Sequence, residues 1–231
     1  MNVRNSMWVS AVATASCLTL ASCGTTESDV AQYSTPPADC AKIYEAAKDS
    51  ISSFAGDLFD SGIQFKSELP EQDFSKTLTC YGAYTAGTSE INAADGTSLR
   101  SNTIFISVRV NQADEWGASD PVEEAKRNFV TYRNQHVPTA TVIQNLGDDA
   151  YSFKEIAEKS ASGEVDFRIA NATLHVRLNR SFAGTPSPEQ GADVASSASA
   201  LAQSLAAGFD SFYVLMFCGA AHPVEGTVAD Q

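Results

Sequence analysis

Between Val165 and Leu178 the chain spells out a β-hairpin. Val165, Phe167 and Ile169 before Ala170-Asn171, and Leu174, Val176 and Leu178 after it, recur at every second residue. A period of two places all six on one face of a two-stranded ribbon, and a slip of one residue would turn every one of them to water. Such a ribbon is not stable alone, so the rest of the chain must supply the surfaces that cover it.

Two further strands and three helices are legible. Ile104, Ile106, Val108 and Val110 alternate with Phe105, Ser107 and Arg109, and Lys76–Tyr84 reads as another strand. From Asp39 to Phe54, Ile43, Ala47, Ile51 and Phe54 fall on one helical face. Asp120-Pro121-Val122-Glu123 has the form of a capping box with proline at the first helical position. Val122, Ala125, Phe129 and Tyr132 follow as a buried stripe, and Pro138 bars continuation. Thr139–Leu146 and Ala150–Phe153 read as strands around the turn Gly147-Asp148-Asp149. Ser187-Pro188-Glu189-Gln190 opens a last helix with Val194, Ala198, Leu201, Ala202 and Leu205 on one face, ending near Gly208. Residues 57–75 read as irregular, and Ala86–Ser101 as a long exposed loop. This order predicts an α+β fold: an antiparallel sheet flanked by two or three helices, spanning residues 39–208.

What precedes that domain reads as an address. Arg4 is the only charged residue before an uncharged, mostly apolar stretch from Met7 to Leu20, which is too short to span a bilayer but suits an export signal. Leu20-Ala21-Ser22-Cys23-Gly24 then has the form of a bacterial lipobox, in which the cysteine thiol receives diacylglycerol. Cys17 lacks the leucine, so Cys23 is the lipid-attachment residue of this reading. Residues 1–22 become a signal peptide and 23–38 a lipidated tether, polar and without periodicity. The expected location is the extracytoplasmic face of the cell membrane, with the membrane a partner through the lipid anchor. After Gly208 the apolar run Phe209–Cys218 must be buried by the domain or covered by a partner, and Gly219–Gln231 reads as a disordered tail.

The 231 residues carry 15 Lys and Arg against 28 Asp and Glu, a net charge of −13. That balance argues against nucleic acid as a partner and against electrostatic adhesion to anionic lipid. Of five cysteines, Cys17 leaves with the signal and Cys23 takes lipid, so Cys40, Cys80 and Cys218 remain in a compartment that permits disulfides. Cys40 opens the first helix and Cys80 shares a strand face with Leu78, which pairs these two. Cys218, within Phe-Tyr-Val-Leu-Met-Phe-Cys, reads as a buried thiol.

A lipobox, a polar tether, the helix start Pro37-Ala38-Asp39-Cys40, Cys80-Tyr81, the turn Leu146-Gly147-Asp148-Asp149-Ala150, a hairpin and an alanine-rich last helix follow one another here. In this the chain resembles actinobacterial cell-envelope lipoproteins with an uncharacterised extracytoplasmic domain, and through them small lipoproteins with a PsbP-like fold. The resemblance covers about residues 20–207. It implies an envelope location and the same Cys40–Cys80 bridge, and no agreed activity. The apolar run after Gly208 departs from its pattern.

Chemistry is sparsely signalled. His175 alternates with Leu174 and Val176 and reads as a solvated strand histidine; His136 follows a helix and His222 lies in the tail. No histidine pair has metal-ligand spacing, and neither His-Glu-x-x-His nor Gly-x-Ser-x-Gly occurs. Asp148-Asp149 could face a cation but reads better as a polar turn. No catalytic residue, metal or cofactor is indicated. The sequence therefore points to a non-enzymatic binding module with an envelope protein partner. A carrier or sensor of an apolar envelope ligand, its cleft lined by 209–218, is the alternative, and a cell-envelope hydrolase the third reading.

Overall fold

The computed structural model describes residues 33–61, 63–68, 71–72, 75–85, 100–113, 120–136 and 140–212. Helix α1 (Cys40–Ala55) runs into a 3₁₀ turn (Gly56–Ser61), then strands β1 (Ile63–Glu68), β2 (Glu71–Gln72), β3 (Ser75–Thr85) and β4 (Ser101–Asn111). Helix α2 (Pro121–His136) precedes β5 (Thr141–Val142), β6 (Asp149–Ile156), β7 (Ser160–Ile169) and β8 (Ala172–Ser181), and α3 (Pro188–Phe212) closes the fold. The strands make one antiparallel sheet in the order β1-β3-β4-β8-β7-β6-β5, with β2 beside β3. The fold is α+β.

The path explains the layers. After β4 the chain passes over the sheet as α2, starts again at the edge strand β5, and winds inward until β8 pairs with β4. Helices α1 and α3 lie side by side on the opposite face. The hairpin forms in the expected register, Val165 opposite Val176 and Phe167 opposite Leu174. Those four and Leu178 are wholly buried against Ile43, Ile51, Leu201 and Leu205 of the two helices. Each such side chain contributes about 1.5–3 kcal/mol. Gly163 permits the closest approach, since a Cβ there would lie 2.5 Å from the Ala195 Cα of α3. Cys40 and Cys80 are bridged, their Cα atoms 5.7 Å apart, which ties α1 to β3.

The helix starts follow their sequence signals. Asp39 accepts from Ala41 N at 2.9 Å and Asp120 from Val122 N at 2.8 Å. At α3, Ser187 N donates to Gln190 Oε1 at 2.8 Å while Gln190 N donates to Ser187 Oγ at 3.2 Å, a reciprocal capping box. Glu123 pairs instead with Lys126.

Several expectations need correcting. Residues 57–75 are not irregular throughout: they hold the 3₁₀ turn, β1 and β2, whose short mixed-polarity runs carry no clear period. The strand expected over Thr139–Leu146 shrinks to Thr141–Val142, because Asn145 and Gly147 take positive φ (61° and 62°) and turn the chain. Tyr132, assigned to the buried stripe of α2, is 43% exposed. The segment Tyr33–Ala38 is part of the packed body rather than tether: Tyr33, Pro36 and Pro37 are buried. The last helix does not stop near Gly208 but continues to Phe212, with Phe209 and Phe212 in the core, so these residues are not an extension. Residues 1–32, with Cys17 and Cys23, residues 86–99 and residues 213–231, with Cys218, lie outside the described residues, as does the side chain of His136.

Candidate functional site

The face of the sheet beneath α2 carries charge where the opposite face carries hydrocarbon. In β7, Glu164 and Asp166 alternate with Val165 and Phe167, yet Glu164 and Asp166 are only 5% and 4% exposed. Register sets their neighbours. Tyr151, Asp166, His175 and Ser107 stand opposite one another across β6, β7, β8 and β4. The next row is Phe153, Glu164, Arg177, Phe105 and, on β3, Tyr81. Phe129 of α2 covers the Tyr151 ring, with centroids 5.0 Å apart.

His175 is the hub of this cluster, not a solvated side chain. Its Nδ1 lies 2.8 Å from Asp166 Oδ1 and its Nε2 3.9 Å from Glu164 Oε2. Arg177 Nε donates to Glu164 Oε1 at 3.1 Å, and Phe105 meets the imidazole edge-on at 5.6 Å. Burial works to lower the His175 pKa, but the hydrogen bond and charge of Asp166, with Glu164 behind it, outweigh it and hold the ring above the ordinary histidine value. Burial likewise pushes Glu164 up, against the lowering pull of His175 and Arg177. Tyr151 is raised by burial and then by Asp166; its hydroxyl and Asp166 Oδ2 are close enough to feel each other, yet neither makes a hydrogen bond of normal geometry.

The chemistry open to this cluster is to hold a proton. Ser107 stands opposite His175, but among the described residues no hydrogen bond joins them, and the free nitrogen faces Glu164. Among the described residues no group of three His, Cys, Asp or Glu is placed to hold a metal ion. Asp148 and Asp149 have their cation already: Arg168, 7% exposed, contacts Asp148 at 3.0 Å and Asp149 at 2.8 Å, and Ala170 N donates to Asp148 at 2.7 Å. The pair is a turn fastened to the hairpin.

A second construction sits at the end of the sheet where β7 turns into β8. Tyr33 N donates to Asn171 Oδ1 at 3.1 Å, and Asn171 Nδ2 donates back to Tyr33 O at 2.7 Å and to Asn111 O at 2.8 Å. The Tyr33 ring stands edge-on to Phe209 at 5.0 Å and its hydroxyl donates to Asp210 at 3.1 Å. Gln112 then holds Ser34 O at 2.6 Å. Burial, followed by the charge of Asp210, raises the Tyr33 pKa and keeps the phenol protonated. The chain coming from Cys23 is thus clamped beside the last turn of α3.

Of the site residues read from sequence, the structure bridges Cys40 and Cys80, and Cys23 lies outside the described residues. Glu164, Asp166 and Tyr33 had been passed over. For the two acids the available signal was their alternation inside a strand destined for the middle of a sheet. No family model and no curated protein matches this chain.

Proposed function

We propose that this protein is a lipoprotein anchored through Cys23 on the extracytoplasmic face of the cell membrane, acting there as a non-enzymatic binding module for a protein of the envelope. The observation that carries the reading is the Tyr33 clamp. Nine residues separate Cys23 from Tyr33, and an unstructured chain of that length has an r.m.s. reach of roughly 17 Å. An acyl chain on Cys23 would therefore hold the domain close to the bilayer by its hairpin-turn end. The sheet face under α2 would stand to the side, where a partner can reach it.

That face suits a protein. Tyr81 is 46% exposed and shares a row with the half-exposed Arg177, and Tyr132 of α2, 43% exposed, is close enough to Arg177, Glu164 and Asp166 to feel their charges. Exposed tyrosine and arginine around a charged, part-buried centre are the residue types that dominate interface energetics. The test is fractionation of cells carrying the natural chain or Cys23→Ser, with intact-mass measurement of the membrane form. The natural chain should sediment with membranes carrying a diacylglyceryl mass, and the variant should be released. In-cell crosslinking from position 81 or 132 should then trap one discrete partner. Unchanged membrane association of the variant would refute the anchor, and crosslinks no different from those at a control position would refute the binding face.

A further inference from the structure

Helix α2 is held to the sheet by little hydrocarbon. It packs on β4, β7 and β8 and buries Val122, Ala125 and Phe129, while Val130 and Tyr132 are 39% and 43% exposed. On the other face α3 buries Val194, Leu201, Leu205, Phe209 and Phe212, a much larger apolar area. An element with few buried apolar contacts is where local opening occurs.

What α2 covers is charged. The carboxylates of Glu164 and Asp166 face Arg177 and, when it is protonated, His175. Only the protonated ring presents an N–H to both acids, Nδ1 to Asp166 at 2.8 Å and Nε2 toward Glu164 at 3.9 Å. A neutral ring keeps one N–H, so either tautomer turns a lone pair on one of the two carboxylates. Asp166 has little else to rely on, since its Oδ2 is buried without a hydrogen bond of normal geometry. The surrounding elements do not make up the difference. Arg133 of α2 and Glu155 of β6 act on the cluster with opposite sign, and Tyr132 and Tyr151 are phenols that burial keeps protonated. From β4, Phe105 and Ser107 bring no charge. Two acids against two cations balance; two acids against Arg177 alone leave one negative charge under cover, where it is far costlier than in water.

We infer that α2 is a proton-gated lid, seated on the sheet while His175 is protonated and lifting to let water reach Glu164 and Asp166 when the ring loses its proton. The device needs neither the lipid anchor nor a partner. Because Tyr132 rides on α2, lifting also carries it away from Arg177.

Hydrogen exchange on the full chain, corrected for the intrinsic base-catalysed rate, tests this at about pH 5.5 and about pH 8.5, on either side of the ordinary histidine range. The α2 amides should exchange through a local opening that low denaturant hardly accelerates, distinct from the denaturant-sensitive opening of β7 and β8. That opening should grow with pH, by roughly tenfold for each unit by which seating raises the histidine pKa. His175→Gln should open equally at both pH values. Glu164→Gln, which removes one acid, should keep α2 seated at the higher one. His136→Gln is the control, because a protonated histidine at the last residue of α2 favours that helix end by itself; the pH dependence should survive it. The inference is overturned by α2 amides that open only with the whole domain, by a local opening indifferent to pH, or by a dependence that His136→Gln abolishes. Where His175→Gln does not fold, Glu164→Gln decides: an opening at the higher pH as large as in the natural chain overturns the inference.

Discussion

The β7–β8 hairpin shows opposite chemistry to the two sides of the sheet. Toward α1 and α3 it presents Val165, Phe167, Leu174 and Val176, all wholly buried. Toward α2 it presents Glu164, Asp166, His175 and Arg177, joined by a hydrogen bond and ion pairs. The first face is stabilised by area removed from water, which is indifferent to pH. The second is stabilised only while its charges remain paired and its protons in place, because an unpaired buried charge costs more than the pair contributes. The apolar face holds the domain together, and the charged face makes part of its stability conditional.

The largest effects should come from the apolar face. Phe167→Ala removes a wholly buried ring between β7 and the helices and should cost about 3–5 kcal/mol in denaturant unfolding, with the m-value unchanged. Replacing Cys40 and Cys80 together by serine opens a loop of 40 residues and should cost about 4 kcal/mol. A smaller effect is expected from Glu164→Ala, which strips Arg177 and His175 of a buried partner. Because Arg177 is 48% exposed and can turn to water, the loss should be about 1–2 kcal/mol. A loss as large as that of Phe167→Ala would mean the charged face carries the fold as well.

The pH dependence has a definite sign. Glu164 and His175 both have folded-state pKa values raised above their ordinary values of 4.5 and 6.5. Each therefore binds its proton more tightly in the folded state than in the unfolded one. The stability each contributes is complete below the ordinary value and is lost as pH rises through the raised one. Tm should accordingly fall in two steps, one above pH 4.5 and one above pH 6.5. His175→Gln should flatten the upper step alone, and a Tm that rises across that range would contradict the pairing of His175 with Asp166. The smallest effect is local: in Asp166→Asn the imidazole pKa read by NMR should drop, since burial is then opposed by Glu164 alone.

How much of this was legible in the sequence follows the same division. The hairpin, the α1 stripe and both proline-led helix starts depend on neighbours a few residues apart, so period and capping revealed them. The charged face was not legible, because alternation says which side Glu164 and Asp166 take but not that α2 crosses there to cover them. His175 was misread for that reason. Tyr33 was invisible for another: its seat is made by Asn171, 138 residues away, and nothing in the local polar run distinguishes it. Phe209 and Phe212 were placed outside the domain because Gly208 looked like a helix end, whereas α3 passes through it and a Cβ there would lie 3.1 Å from the Ala46 side chain of α1.

Anchored through Cys23 as proposed, the domain would stand on the membrane by its hairpin-turn end, and energy transfer measures this directly. A donor is placed at Ser34→Cys, beside the Tyr33 clamp, or at Lys159→Cys, in the β6–β7 turn at the other end of the sheet. The acceptor is a headgroup-labelled lipid in vesicles carrying the anchored protein. Ten-residue strands separate the two positions by about 33 Å. The label at position 34 should lie near the headgroups and the label at 159 roughly 30 Å further out. Equal distances, or the reverse order, would contradict the claim.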